Sequence, residues 1–308
     1  MPAIWIPKRL VEINLINIAA QSRKSFIRQC ENEYDARIQD GASEILASGC
    51  KVVMLTGPSA SGKTTTAHKL AEALTMRGTH TEVVSLDNFY KNLEDYPRLP
   101  DGSKDYENIT ALDVPEIQKC LLEIIQTGRT DLPEFDFMTE YRKAQRIPLE
   151  LQGGICIVEG IHALNPQLTE TLPQSGVYKV YAGLREEYSS KGQRVIPTRD
   201  IRLARRMVRD AKFRGHSLEK TIALWSRVCA GEDKFIKVFK TEAQLLLDTS
   251  FSYEICMLAP FISQLAGSLP EGHPQAEQLN ELAGWFSMVA PIDLSEMPEN
   301  SMLREFLG

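Results

Sequence analysis

The stretch Gly57-Pro58-Ser59-Ala60-Ser61-Gly62-Lys63-Thr64-Thr65 decides how the chain is read. It fits G-x-x-x-x-G-K-[ST], and each residue type has a physical reason to be there. Glycine lets the backbone curl so that successive N–H groups turn toward an anion. A helix beginning near Gly62 adds the positive end of its dipole. Gly57, Ser59, Ala60, Ser61, Gly62 and Thr65 are therefore expected to line a phosphate cradle. Lys63 would reach the β- and γ-phosphates of a bound ATP, and the Thr64 hydroxyl would ligate Mg²⁺. The flanks agree. Lys51 to Thr56 is a short apolar run suited to a buried parallel strand. Ala67, Leu70, Ala71 and Leu74 then recur at helical spacing, and Gly78 marks the stop. A glycine- and serine-rich turn matching by accident would not bring both flanks with it.

Outward from the loop, composition sets bounds. The chain has 308 residues, 43% of them hydrophobic and 25% charged, ample for one large α/β domain with appendages. The net charge of −6 gives no global reason to bind nucleic acid. Cys30, Cys50, Cys120, Cys156, Cys229 and Cys256 are scattered without a C-x-x-C pair, which reads as reduced thiols. No apolar stretch reaches 18 residues, so no membrane span is expected. Glu12, Asn14 and Asn17 break the apolar run behind Lys8 and Arg9, which argues against a signal peptide. A cytoplasmic protein follows, with homo-oligomerisation left open.

Residues 1–49 read as a distinct helical N-terminal segment, a lead-in packed on the core, with Leu15, Ile16, Ala19 and Ala20, then Phe26, Ile38, Ile45 and Leu46, at helical spacing. Residues 50–250 form the main domain. Its second strand, Thr81 to Leu86, leads into Asp87-Asn88-Phe89-Tyr90. A carboxylate at that strand end lies where open α/β sheets bind ligands, so Asp87 is a candidate for chemistry; a helix cap or turn is the alternative. Residues 94–112 read as a long loop. Asp113 with Glu116 forms a capping box, and Ile117, Leu121, Ile124 and Ile125 give the helix its apolar face. Phe135-Asp136-Phe137 is edge packing or one wall of an acceptor pocket. A third strand ends in Glu159, where a carboxylate can hold Mg²⁺ directly or through water. Val177 to Ala182 and Ala243 to Leu247 supply a fourth and a fifth strand. Strands alternating with helices give a three-layer α/β sandwich with a mainly parallel sheet.

The segment 199–214 carries seven arginines and lysines against two aspartates. Arg202, Arg205, Arg206 and Arg209 follow i, i+3, i+4, i+7 and share one helix face. Like charges on one stripe repel unless anions meet them, and guanidinium pairs well with phosphate oxygens. A lid over the triphosphate is the expectation, and a solvated or RNA-binding stripe the alternative. Ser217 caps a further helix, with Leu218, Ile222, Trp225 and Cys229 as its stripe and Gly231 at its end. Residues 251–308 read as a helical C-terminal extension: two helices joined by the turn Leu269 to Pro274, then a short tail.

Together these motifs resemble the uridine kinase and phosphoribulokinase family of P-loop kinases. They are Gly57 to Thr65, Ser85 to Tyr90, Phe135-Asp136-Phe137, Val158 to Leu164, Arg202 to Gly215, and the tail Pro298 to Phe306. Among its members the chain is most similar to bacterial nucleoside kinases that often carry a threonyl-tRNA-synthetase-like N-terminal region, which the sequence here lacks. The resemblance implies an ATP- and Mg²⁺-dependent kinase with a small acceptor, a nucleoside or a sugar. It makes Asp87 the general base and Thr64, Asp87 and Glu159 the metal ligands. It implies catalytic parts for Lys63, Arg206 and Arg209, with Arg202 and Arg205 on the nucleotide. Tyr90, Glu107, Phe135, Glu140, Arg142 and His162 fall on the acceptor side. The pattern departs from the family there: Phe135 replaces a tyrosine, Glu140 stands where a base-reading histidine is usual, and Glu107 stands for a ribose-binding aspartate. The donor half is intact and the acceptor half altered.

Overall fold

The computed structural model describes residues 7–270 and 272–308. The first six residues of the N-terminal segment, and Glu271 in the Leu269–Pro274 turn, lie outside the described residues. In chain order the strands and α-helices are β1 Arg9–Glu12, α1 Ile13–Ala19, α2 Arg23–Ser48, β2 Val52–Thr56, α3 Lys63–Thr75, β3 Thr81–Ser85, α4 Val114–Thr127 and β4 Arg129–Leu132. Then come β5 Phe135–Asp136, β6 Tyr141–Arg142, β7 Ile147–Glu150, β8 Ile155–Glu159, β9 Val177–Gly183, β10 Glu186–Ser190 and β11 Gln193–Ile196. The chain finishes with α5 Thr198–Phe213, α6 Leu218–Phe235, β12 Leu245–Asp248, α7 Glu254–Ile262, α8 Ala276–Ser287 and α9 Arg304–Leu307.

The core is a five-stranded, all-parallel sheet in the order β12-β9-β2-β8-β3. Every residue of β2 and β8 is buried, as expected of strands covered on both faces. One apolar cluster joins α2, α3, α5, α7 and α8 on one face, and a second gathers around α4 on the other. This is the expected P-loop three-layer sandwich. Register brings the chemistry together: Leu55 and Ser85 both pair with Glu159. The loop after β2, the end of β8 and Asp87 beyond β3 thus share one edge of the sheet.

Three expectations are corrected. The N-terminal segment packs on the core as expected but is not all helical, since β1 precedes its helices. Ile13, Ile16, Ile27, Tyr34, Ile38 and Ile45 share one cluster with Leu70 and Leu74 of α3, and the Tyr34 hydroxyl lies 2.8 Å from that of Thr66. Leu15 instead faces solvent. Secondly, β1 pairs in parallel with β10, which pairs with β11, in a small second sheet whose strands of four and five residues are not announced in sequence. Glu12 closes it, accepting from the Ser189 hydroxyl and from the N–H groups of Lys191 and Gly192. Thirdly, Gly231 does not end α6, which runs on to Phe235. Its smallness has another use, because a Cβ there would come within 2.7 Å of the Glu107 side chain.

Candidate active site

The phosphate loop is built by backbone conformations its small residues permit. Gly62 sits at φ 83° and Ala60 at φ 58°, both left-handed. A Cβ at Gly57 would run into the Ala182 carbonyl and the Ser61 hydroxyl. No side chain caps the N-terminus of α3, so its first turn is left for an anion. The Ser61 hydroxyl is buried without a hydrogen-bond partner. A buried orphan hydroxyl, a glycine-shaped hollow and an uncapped helix end are what a bound phosphate group would complete.

Four groups converge beside the loop. The Lys63 ammonium lies 3.9 Å from a Glu159 oxygen, and the Thr64 hydroxyl donates to the same oxygen at 3.3 Å. Glu159 is buried. Asp87 opens onto the cleft. Its carboxyl is nevertheless raised, first because the cleft walls strip water from it; Lys63 pulls it down and Glu159 pushes it up. The capping alternative for Asp87 loses ground, since the cap of that turn is Ser85, whose hydroxyl accepts from the Asp87 N–H at 3.3 Å.

The arginine stripe has partners within the chain. Arg202 is buried in a two-pronged pair with Glu232, at 2.6 and 2.9 Å, and donates to the Ser59 carbonyl at 2.8 Å. Glu232 in turn accepts from the Ser59 N–H. Arg205 is fully buried, paired with Glu254, bonded to the Ala60 and Thr249 carbonyls, and stacked on Phe306. These two guanidiniums hold the outer carbonyls of the loop, and the expectation that they await a triphosphate is corrected. Arg206 stays partly open, donating to the Ser59 hydroxyl at 3.1 Å and to Asp210 at 3.2 Å. Arg209 lies over Phe306, with Asp210 and Glu305 nearby. Burial keeps Arg202 and Arg205 away from any ligand at the surface of the stripe.

The residues expected on the acceptor side form a wall of rings and acids. Tyr90 packs against Tyr96 and Phe135, Tyr96 against Tyr106, and Phe135 against Phe137, with centroids 5.1–5.8 Å apart. Glu107 is half-buried, and its carboxyl is pushed up to about 7 by burial first and by Glu232 next. Two sequence candidates have other engagements. Glu140 accepts from Lys104 at 2.6 Å and from the Tyr106 hydroxyl at 2.9 Å. Arg142 is spent on the Phe89 and Tyr90 carbonyls and on Asp113, so it braces the wall from behind. His162 is buried against Phe235, and burial pushes its imidazole down to about 4, the pattern of a packed neutral histidine.

Sequence reading missed Glu232, Glu254, Asp210 and Glu305. The available signal was the apolar company of the stripe: Ile201, Leu203, Ala204, Met207 and Val208 leave Arg202 and Arg205 no route to water. Glu305 also accepts from the Thr65 hydroxyl at 2.6 Å, which ties the tail to the phosphate loop.

Residues 52–252 match the phosphoribulokinase / uridine kinase family, and the chain belongs to it. Over 199 residues it is 28% identical to the uridine kinase of Saccharomyces cerevisiae, a stretch taking in 64% of this chain and 36% of that protein. It is 30% identical over 171 residues to the uridine kinase of Deinococcus deserti, covering 56% of this chain and 73% of the other. A solved Bacillus stearothermophilus structure, described as a possible uridine kinase, aligns at 18% identity and TM-score 0.49, over 70% of this chain and 100% of that one.

Proposed function

We propose that the chain is an ATP- and Mg²⁺-dependent kinase that phosphorylates a hydroxyl of a small uncharged acceptor, a nucleoside 5′-hydroxyl fitting best. The observation that carries this is the convergence of Lys63, Thr64, Glu159 and an open Asp87 beside a hollow with an orphan Ser61 hydroxyl. Among the described residues no group of three or more His, Cys, Asp or Glu could hold a metal alone. A cation would therefore rest on Thr64, Asp87 and Glu159 together with the donor's own phosphates. Held there, Mg²⁺ would offset the negative charge of the donor's phosphates.

The protein's part is placement and proton handling. The loop N–H groups and Lys63 orient the triphosphate. Arg206, alone of the stripe, combines contact with the loop's own side chain and partial exposure, so it is the one suited to transition-state charge. Asp87, its carboxyl raised and free of capping duty, takes the acceptor's proton as the hydroxyl oxygen attacks phosphorus. Stacked rings beside Glu107 suit a flat base joined to a polyol. A sugar phosphate, the main alternative, would need a cation cluster, yet Lys104 and Arg142 are engaged with carboxylates. A non-catalytic sensor would leave Asp87 idle. Six buried unpaired cysteines suit a reducing, cytoplasmic setting, and no helix among the described residues is long and apolar enough to cross a membrane.

The test is ADP release against a panel of nucleosides, sugars and sugar phosphates, with Asp87→Asn alongside. General-base assistance is worth roughly 10²–10⁴-fold. Asp87→Asn should lower kcat by that order while ATP binding, read by titration, changes little. A kcat within about threefold of wild type removes Asp87 as the base, and turnover with sugar phosphates alone overturns the acceptor assignment.

A further inference from the structure

We propose a second ligand site, for a small phosphate-bearing anion, on the face of the phosphate loop away from the acceptor wall. There a cavity of about 470 Å³ lies between the end of β9 and the start of α5, with Pro58 of the loop in its wall. That volume suits a small metabolite rather than a bare ion.

The lining is cationic in a chain that is net negative. Lys8, Arg185, Arg194, Arg199, Lys237 and Lys240 face it, against two carboxylates, Glu187 and Asp200; Arg202 is also in the wall but is answered by Glu232. The carboxylates nearby are shared. Lys8 and Arg194 divide Glu187 between them, and Arg199 and Lys237 divide Asp233. One negative charge for two positive ones leaves each set in surplus. Lys240, which lies over the Tyr181 ring, is pushed down to about 8 by burial first and then by Arg185, Lys8 and Lys237. A sixteen-residue helix, α5, also begins in this wall behind Pro197; its first N–H, at Thr198, is met by Glu187 and Asp200 lies in its first turn, so the dipole there is already partly answered and the cations carry the site. Cations held this close in a half-enclosed hollow lower their mutual repulsion by taking up an anion. Phosphate is the chemistry that matches several guanidinium and ammonium donors at once.

The site would be coupled to the first. Arg202 lines the cavity and also holds the Ser59 carbonyl, so occupation on one side bears on loop geometry on the other. Such coupling is reciprocal in binding free energy. The inference does not depend on the acceptor being a nucleoside, nor on catalysis.

Calorimetric titration of the full chain with pyrophosphate in magnesium-free buffer tests it. The donor site is disabled by Lys63→Ala and the cavity by the pair Lys240→Gln and Arg194→Gln. Pyrophosphate should still bind the Lys63→Ala protein, and the cavity pair should weaken that binding about tenfold or more. Lys240→Arg, which keeps the charge, should restore most of the affinity. Loss of all binding in Lys63→Ala would overturn the proposal. So would complete displacement of the probe from the Lys63→Ala protein by ADP, which would make the cavity the far end of the donor site. Equal binding by the cavity pair and its parent would reduce the effect to general surface charge and overturn it too.

Discussion

The two walls of the cleft are made by opposite means. The donor wall is assembled from deep parts: a glycine loop on a buried strand, two buried arginine–carboxylate pairs gripping its outer carbonyls, and a terminal helix wedged beneath them. The acceptor wall is assembled at the rim, from two-residue strands, a long loop and aromatic rings of which Tyr106 and Phe137 are exposed. Phosphate geometry is the same for every reaction of this type, whereas the acceptor varies. A fold that buries the first and leaves the second on short rim elements can change substrate without loosening its grip on the donor.

The contrast can be broken most directly at Arg205. Removing one partner of a buried pair leaves the other charge stranded, which costs about 3–5 kcal/mol. Arg205→Ala should lower unfolding free energy by that order in denaturant titration and weaken ATP binding with it. A loss below about 1 kcal/mol would mean the donor wall is no firmer than a surface contact.

A smaller effect is expected from Glu107. Burial lifts its carboxyl from 4.5 to about 7, so the folded protein retains a proton that the unfolded chain releases at lower pH. Stability from this group therefore falls as pH rises from about 4.5 to 7, and is level above that. Glu107→Gln should flatten the decline of Tm across this window in the ligand-free protein. An unchanged decline would show that Glu107 is not shielded and that the rim is more open than described.

Smallest in stability is Glu140, whose ion pair with Lys104 lies near the surface. Glu140→Gln should change unfolding free energy by less than about 1 kcal/mol, yet raise the acceptor KM with the ATP KM unmoved. Equal shifts in both constants would dissolve the division between the walls.

What the sequence made legible follows the same division. Gly57 to Thr65, Asp87 and Glu159 are local signals, each a residue type at a strand end, and the parallel register places them together. The partners of the arginines are not local. Arg202 meets Glu232 thirty positions on and Arg205 meets Glu254 forty-nine on, and no periodicity in α5 points to either. Reading the stripe by charge alone favoured an external anion, while reading its apolar neighbours would have favoured burial. The β1–β10 pairing was hidden because a four-residue strand runs directly into a helix. On the acceptor side the residue types at 107, 135, 140 and 142 were visible, but not that Glu140 and Arg142 were already engaged by Lys104, Tyr106 and Asp113.

Two neighbouring threonines on α3 are held from opposite parts of the chain. Thr66 meets Tyr34 and Thr65 meets Glu305. During synthesis, then, the loop and its strand exist long before their last support has been made. Sheet and helices can collect on the ribosome as residues 34 to 250 emerge, but the floor of the phosphate site waits for residues 302–306. Contacts of such long sequence separation form late and slow the final step of folding. A nascent chain stalled before residue 302 would carry the glycine loop without a fully braced cradle, so tight ATP binding should await residues 302–306.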